Sequence, residues 1–398
     1  MKSNGNAQHI AYLGKVQLSD TDLPLLNEMQ KCADVTYFLE VNPRFMQGPA
    51  YNIKTLYPKS GIFPALEAYP EFERLSGFID TSKFYVVNTT GRLWVLKSFW
   101  THLLLLVFLI RRKFNVIHLA WPPNVYEFML YFLRRHMVLT VHDPFIHTGR
   151  DSIVVRLRRK MAFRLIPYFI ILNKAQRQEF LDFYHLSSNR VTTAFLSCCT
   201  YLRMVQPDLS TLPTFSPQPS QYILFSGKIS PYKGLDYLLP AIIKVHEQCP
   251  DCRLVVAGGG EYHFDITPYQ NLSYVEIRNR FIPEEELVAL ISHSQFMVCP
   301  YTDATQSGVV MSAFAFAKPV IATNVGGLPE MVKDGRYGII VKEKDCDILA
   351  EAIVRLWTQK ELTASFSRNI HHDYSTGELS WRKAAEQFTM LYEAINKE

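Results

Sequence analysis

Several kinds of chemistry are missing from this sequence. It has no phosphate-binding P-loop and no Ser-His-Asp set built on a nucleophile elbow, which excludes P-loop nucleotide hydrolysis and serine hydrolase chemistry. Its 7 cysteines are scattered. Cys249 and Cys252 form a lone CxxC with no second pair at zinc spacing, so the thiols read as reduced, structural residues of a cytosolic protein. The opening MKSNGNAQHIAYLG has only a short apolar run and no cleavage pattern, so no signal peptide is expected. Long apolar runs are absent too. The most apolar stretch, Phe99 to Ile110, is interrupted by His102 and falls short of the roughly 20 residues a bilayer span needs. It reads as a buried helix, the other reading being a helix that dips into a membrane surface. Asp20-Thr21-Asp22 and Asp345-Cys346-Asp347 spell a metal-clamping Asp-x-Asp string, but each stands just before a helical run, where Asp is a preferred cap. No metal and no resident cofactor is expected.

What is present fits a folded chain of more than one domain. A single core rarely grows beyond about 250–300 residues, and this chain has 398. The composition, 48% hydrophobic and 20% charged, is that of an ordinary globular protein. Charge is unevenly divided. Residues 1–205 carry 25 Lys and Arg against 14 Asp and Glu, and residues 206–398 carry 17 against 23. A basic half suits an anionic partner. The basic stretches are Arg111-Arg112-Lys113, Arg134-Arg135 and RLRRKMAFR from Arg156 to Arg164, the last with apolar residues near helical spacing. Such a helix can lie on an anionic membrane surface. No nucleic-acid partner is expected, because these stretches lack interleaved aromatic residues.

Apolar runs separated by helical patterns recur along the chain. In the first half they are His9 to Leu13, Val35 to Val41, Phe84 to Val87, Val116 to Ala120, Val138 to Asp143 and Tyr168 to Leu172. In the second they are Tyr222 to Gly227, Arg253 to Gly260, Ser273 to Ile277, Phe296 to Tyr301, Lys318 to Thr323 and Tyr337 to Val341. Continuous apolar strands of this kind belong to parallel sheets covered on both faces. Between the two sets, Gln206 to Ser220 is proline-rich with no helical or strand period. The expected architecture is α/β: two βαβ domains across a cleft, with ligands at the carboxyl ends of the strands. The domains are placed at 1–205 and 221–378, the linker at 206–220, and a closing helix at 379–398.

Three strand ends carry chemistry. After Tyr222 to Gly227 come Lys228 and Lys233 in a glycine-flanked loop, two point charges able to neutralise a diphosphate or simply to be solvated. At Thr305-Gln306-Ser307-Gly308 a helix begins. Ser307 suits its cap, and the amides of Ser307, Gly308, Val309 and Val310 offer an anion cradle. An ordinary capped helix reads the same way. Gly326-Gly327 makes a tight turn before Glu330, while Ala257 to Glu261 lacks dinucleotide-loop spacing and reads as a tight strand exit. In the first half, His142-Asp143 ends a strand at a candidate site position, the other reading being a satisfied structural histidine.

These residues resemble family 4 of the retaining glycosyltransferases, most strongly from Tyr222 to Trp357. SGKISPYKG resembles the loop whose basic pair grips the donor diphosphate, with Lys228 where Arg is usual. NRFIPEEEL resembles the segment beneath the nucleotide base, which implies Phe281 and Ile282 there. SGVVMSAFAFAKPVIATNVGGLPEMV resembles the donor-site helix and the turn after it, and Gly14 and VLTVHD match landmarks of the N-terminal domain. The family's two glutamates of the donor helix are replaced by Thr305 and Ser312. The resemblance implies a GT-B fold of two Rossmann-like domains, with acceptor binding in the first and nucleotide-sugar binding in the second. It implies metal-free transfer of a hexosyl group, with retention, from a UDP- or GDP-sugar to a glycan or lipid-linked acceptor in surface polysaccharide or glycolipid synthesis. It implies that His142 is catalytic, that Lys228, Lys233 and the helix amides hold the diphosphate, that Thr305, Gln306 and Ser312 face the sugar and ribose, and that Gly14 lies in an N-terminal loop. It implies a final helix, Trp381 to Lys397, returning to the first domain. The expected location is cytoplasmic, peripheral at the inner face of the membrane. A sugar-nucleotide epimerase and a degenerate, non-catalytic nucleotide binder share the same resemblance.

Overall fold

A computed structural model describes residues 8–395, except 49, 52, 146–151, 173, 175, 216–220 and 305. The chain divides into two compact units, Met1–Leu196 with Trp381–Glu398, and Ser197–Ser380.

The first unit is built on β1 (His9–Lys15), α1 (Ser19–Met29), β2 (Asp34–Val41), β3 (Gly61–Pro64), α2 (Ala65–Ala68), β4 (Phe84–Asn88), α3 (Trp94–Arg112), β5 (Val116–Leu119), β6 (Met137–Val141), α4 (Ile153–Leu165), β7 (Tyr168–Ile171), α5 (Arg177–Tyr184) and β8 (Val191–Thr193). Its 8-stranded sheet runs β3-β4-β2-β1-β5-β6-β7-β8, parallel but for β3. The edge strands β3 and β8 were not expected. They are short and only partly buried, and so lack the continuous apolar run of the inner strands. Successive side chains alternate between the two faces. Ala11, Phe38, Ile117 and Leu139 join one core with residues of α3, the 3-10 helix Val125–His136, α4 and α5. On the other face Tyr12 stacks on His118 at 4.6 Å.

The second unit contains β9 (Ile223–Ser226), α6 (Leu235–Gln248), β10 (Leu254–Ala257), β11 (Val275–Arg278), α7 (Glu284–His293), β12 (Met297–Cys299), α8 (Gly308–Ala315), β13 (Val320–Thr323), α9 (Leu328–Val332), β14 (Gly338–Val341), α10 (Cys346–Thr358) and α11 (Lys360–Ser375). Its six strands are parallel in the order β11-β10-β9-β12-β13-β14. That is the doubly wound nucleotide-binding order, outward from β9 in one direction and then from β12 in the other. Cys249 and Cys252 are buried free thiols in its core. The closing helix α12 (Trp381–Ile395) returns to the first unit, where it packs on α1 and its Tyr392 hydroxyl meets His118 Nδ1 at 2.8 Å.

Three expectations need correcting. The first unit gives way to the second at Leu196, before the proline-rich segment. The described part of that segment is exposed from 206 to 210 but held to the second unit at two points: the Asp208 amide donates to Glu285 O at 3.0 Å, and Phe215 is buried with Cys198 in that unit's core. Asp345 caps α10, accepting from the amides of Asp347 and Ile348 at 3.1 Å. Asp20 and Asp22, however, lie inside the first turn of α1, and buried Asp22 accepts from the Tyr12 hydroxyl at 2.7 Å. The apolar stretch at Phe99 to Ile110 lies in a 19-residue helix that buries one side only, through Ser98, Thr101, His102, Leu105, Leu106 and Leu109.

Candidate functional site

In the second unit the strand order reverses between β9 and β12, and open α/β sheets bind ligands beyond the carboxyl ends of the strands at such a reversal. Two segments meet there. The loop after β9 begins at Gly227, whose φ of +110 favours glycine, and a Cβ there would stand 3.3 Å from a methyl of Val309. The loop therefore lies against the start of α8. Further along it, the ammonium of Lys233 rests 3.8 Å from the centre of the Tyr301 ring. The Ser307 hydroxyl donates to the Tyr301 hydroxyl at 3.4 Å. Lys233, Tyr301 and the cap of α8 thus form one continuous set of contacts.

Lys233 is buried and makes no ion pair among the described residues; loss of hydration pushes its ammonium down to about 8. The ring face of Tyr301 meets that ammonium and supplies it with negative potential. Lys228 is exposed and likewise has no hydrogen-bond or ion-pair partner among the described residues. At the helix start Ser307 accepts from the Val310 amide at 3.4 Å. Val310 is fully buried and its N–H is already used, so it leaves the expected cradle. The amides of Gly308 and Val309 belong to the first turn, where no intrahelical acceptor exists, and Gly308 is exposed. Ser312 turns its hydroxyl back to Gly308 O at 2.9 Å. Gln306 is half-buried beside the cap, and Thr305 lies outside the described residues.

Other strand ends brace the site. Gly326 has φ +51, and a Cβ on it would fall 1.4 Å from Ala304 O, so this turn presses directly on the segment leading into α8. Asn279 pairs with both backbone groups of Gly260, accepting at 2.9 Å and donating at 3.0 Å. That fixes the following Phe281 beside the glycine loop. Phe281 is 77% exposed and free to stack, whereas Ile282 leans on the core and is less available to a base than expected. Tyr301 and Asn279 were missed in the sequence. Each looks like an ordinary strand-end residue, and only the fold reveals its partner.

The first unit has its own reversal between β1 and β5. Gly14 is not in a loop there: it is the sixth residue of β1, and a Cβ would strike Asp22 Oδ2 at 2.5 Å, so glycine makes room for the core. The next residue, Lys15, donates to Glu127 at 2.6 Å and to Glu40. Glu40, His102 and Glu127 bring potential metal-ligand atoms within 4.8 Å of one another, but the Lys15 ammonium binds both carboxylates and takes a cation's place. His142 follows β6. Burial pushes its imidazole down to about 4, and its Nε2 has no hydrogen-bond partner among the described residues. It is a neutral ring with a nitrogen to offer.

Residues 220–359 match the family model Glycosyl transferases group 1. The D-inositol 3-phosphate glycosyltransferase of Corynebacterium efficiens is 31% identical over 186 residues, which cover 44% of this chain and 43% of that protein, so the match spans less than half of the relative's length. Among solved structures, sucrose-phosphate synthase from Thermosynechococcus elongatus superposes with a TM-score of 0.66 at 16% identity, over 98% of this chain and 99% of that one. Anabaena HepE in complex with UDP superposes with a TM-score of 0.66 at 17% identity, over 97% and 100%. At these identities the likeness speaks for the fold, which is GT-B.

Proposed function

We propose that this chain is a metal-free, retaining glycosyltransferase of family 4, and that it moves a hexosyl group from a UDP- or GDP-sugar to a glycan or lipid-linked acceptor. The observation that carries the reading is the convergence of Lys233, through Tyr301 and Ser307, on the open amides of α8. Lys228 and Lys233 take the diphosphate as point charges, and the amides of Gly308 and Val309 direct hydrogen bonds to it. The leaving diphosphate gains negative charge as the glycosidic bond breaks, so donors fixed in advance stabilise the transition state more than the ground state. Phe281 stacks on the base. Gln306 and Thr305 border the sugar. Ser312, whose hydroxyl hydrogen is held by Gly308 O, offers the ribose its oxygen as an acceptor. His142, neutral at working pH, is the catalytic residue that the resemblance implies. The HepE structure, solved with UDP at an equivalent fold, supports the donor class.

On this reading the first unit takes the acceptor, and the protein works in the cytoplasm at the inner membrane face in surface polysaccharide or glycolipid synthesis. The test is thermal unfolding with UDP and GDP, since a ligand at ~100 times its dissociation constant stabilises the fold by about 2.7 kcal/mol. Lys228→Ala with Lys233→Ala should abolish the shift. A double variant that still responds like the parent would overturn the diphosphate assignment.

A second reading has one observation in its favour. Ser312 spends its hydroxyl hydrogen on Gly308 O, and neither it nor Thr305 brings the carboxylate usual in this family. Nucleotide binding without turnover follows if a panel of UDP- and GDP-sugars with lipid-linked acceptors yields neither transfer nor hydrolysis.

A further inference from the structure

The first unit has an outer layer that combines two features a soluble protein rarely presents together. Helices α3 and α4 and the 3-10 helix Val125–His136 all pack their inner sides into one core on the same face of the sheet. Their outer sides therefore share a common surface. On α3 that surface is a stripe at helical spacing: Leu93 just before it, then Leu96, Trp100, Leu104, Val107 and Ile110, each between 39% and 66% exposed. Phe128 and Phe132 extend it on the 3-10 helix, and Ile153, Val154 and Leu157 on α4. An apolar groove lined by Leu93, Leu96, Phe99 and Val125 runs where α3 meets the 3-10 helix. Contiguous exposed apolar surface of this kind marks a binding face.

Along α3 and the 3-10 helix the exposed charge has one sign. Between Arg92 and His142 there are seven Lys and Arg residues and a single carboxylate, Glu127, which is buried against Lys15. Arg92 and Lys97 flank the start of the stripe, and Arg111, Arg112 and Lys113 its end; all five are exposed. Arg156, Lys160 and Arg164 line a cleft between α4 and α5. Apolar residues enclosed by cations match the boundary of an anionic bilayer, where side chains enter the acyl region and ammonium and guanidinium groups meet phosphates. A second copy of the chain would bring the same cations face to face, which is repulsive. Helix α3 is long and apolar enough to cross a membrane by length and composition. Its inner stripe, with Ser98, Thr101 and His102 buried, ties it to the unit, and insertion across the bilayer would carry these polar side chains into the acyl region and part His102 from Glu127, 4.0 Å away.

We infer that this layer is a bilayer-insertion surface, with α3 lying in the membrane plane and its outer stripe immersed in the acyl boundary of an anionic leaflet. The inference does not rest on the sugar-transfer reading, and it goes beyond electrostatic contact by a basic helix, because an immersed stripe holds in salt.

The full chain is mixed with vesicles of phosphatidylglycerol and phosphatidylcholine, with and without lipids brominated at shallow acyl positions. Trp100 fluorescence should be quenched by the brominated lipid, a signal missing from Trp100→Phe, and part of the binding should survive salt that screens surface charge. Leu96→Glu with Leu104→Glu alters exposed positions, so its unfolding temperature should match the parent while its vesicle affinity falls about tenfold or more. The inference is overturned by unquenched Trp100, by complete release in salt, or by a double variant that binds vesicles like the parent. It is overturned equally if light scattering finds a parental dimer that the double variant converts to monomer, since the stripe then covers a second copy. UDP binding, measured on the same samples, reports on the donor site separately.

Discussion

Lys233 holds its proton less firmly than a solvated lysine because it is desolvated and faces a ring rather than a carboxylate. An arriving diphosphate reverses that balance by favouring the charged form, so binding takes up a proton wherever the free site is already neutral. The affinity for UDP should therefore hold steady below about pH 8 and weaken as pH rises above it, by up to about tenfold per pH unit. Lys233→Arg should flatten that profile, because a guanidinium stays charged; titration calorimetry in buffers of different ionisation enthalpy reads the proton uptake directly. His118 makes the opposite kind of statement, one about stability. Its Nε2 meets Thr140 Oγ1 at 2.8 Å, its Nδ1 meets Tyr392, and burial holds it at about 3. Between its ordinary value and about 3 the unfolded chain binds a proton that the folded chain refuses, so its contribution is complete above about pH 6.5 and lost as pH falls. His118→Asn should lower the slope of unfolding free energy against pH by about 1.4 kcal/mol per unit near pH 5, whatever it does to stability itself. At this scale the sequence revealed residue types but not their partners. Lys228, Lys233 and Ser307 were legible because each follows a strand pattern. Tyr301 was not, because an aromatic ring that receives a lysine and a hydroxyl looks in sequence like any core tyrosine.

Helix α8 contributes backbone, which suggests a substitution that removes one donor and spares the helix. Gly308 is its first residue, a position that tolerates proline, and Ser307 before it is extended, with φ −133 and ψ 111. Gly308→Pro should weaken UDP binding by about 1.5–3 kcal/mol, the range of a hydrogen bond to a charged group, with little change in unfolding temperature. Unchanged affinity would mean that this amide does not face the nucleotide. The turn before α9 is less forgiving. Gly326→Ala combines a left-handed φ with a backbone clash against Ala304, and should cost at least about 2 kcal/mol in urea unfolding. Elements with a strong period were readable: all six strands of the second unit lie where apolar runs predict them. Helix α3 was readable as an apolar helix and misread in its surroundings. Composition reports that a helix is apolar on every side, but not which side the sheet covers.

Two units in one chain allow the donor site to be checked without isolating a part. Bound UDP should slow hydrogen exchange at residues 227–234 and 306–311 in the second unit, the segments that meet at the β9–β12 reversal. Protection that misses both would place the nucleotide elsewhere. The division of the chain also explains a misplaced boundary. Proline and low charge make 206–220 look like a linker, yet Phe215 and the Asp208 amide are held by the second unit, because long-range packing decides which side a segment joins.

The sequence by itself determined that this is an α/β chain of two strand-helix sets, where most strands lie, and that two lysines and a capped helix each follow a strand end. Those are properties of local pattern, since apolar period, capping and turn chemistry act over a few residues. Only the tertiary structure decided that Lys233 reaches the cap of α8 through Tyr301, that Gly14 and Asp22 serve the core, and that one stripe of α3 stays uncovered. Each depends on which strands become neighbours and which helical face they bury, and that choice is made by contacts between residues far apart in the chain.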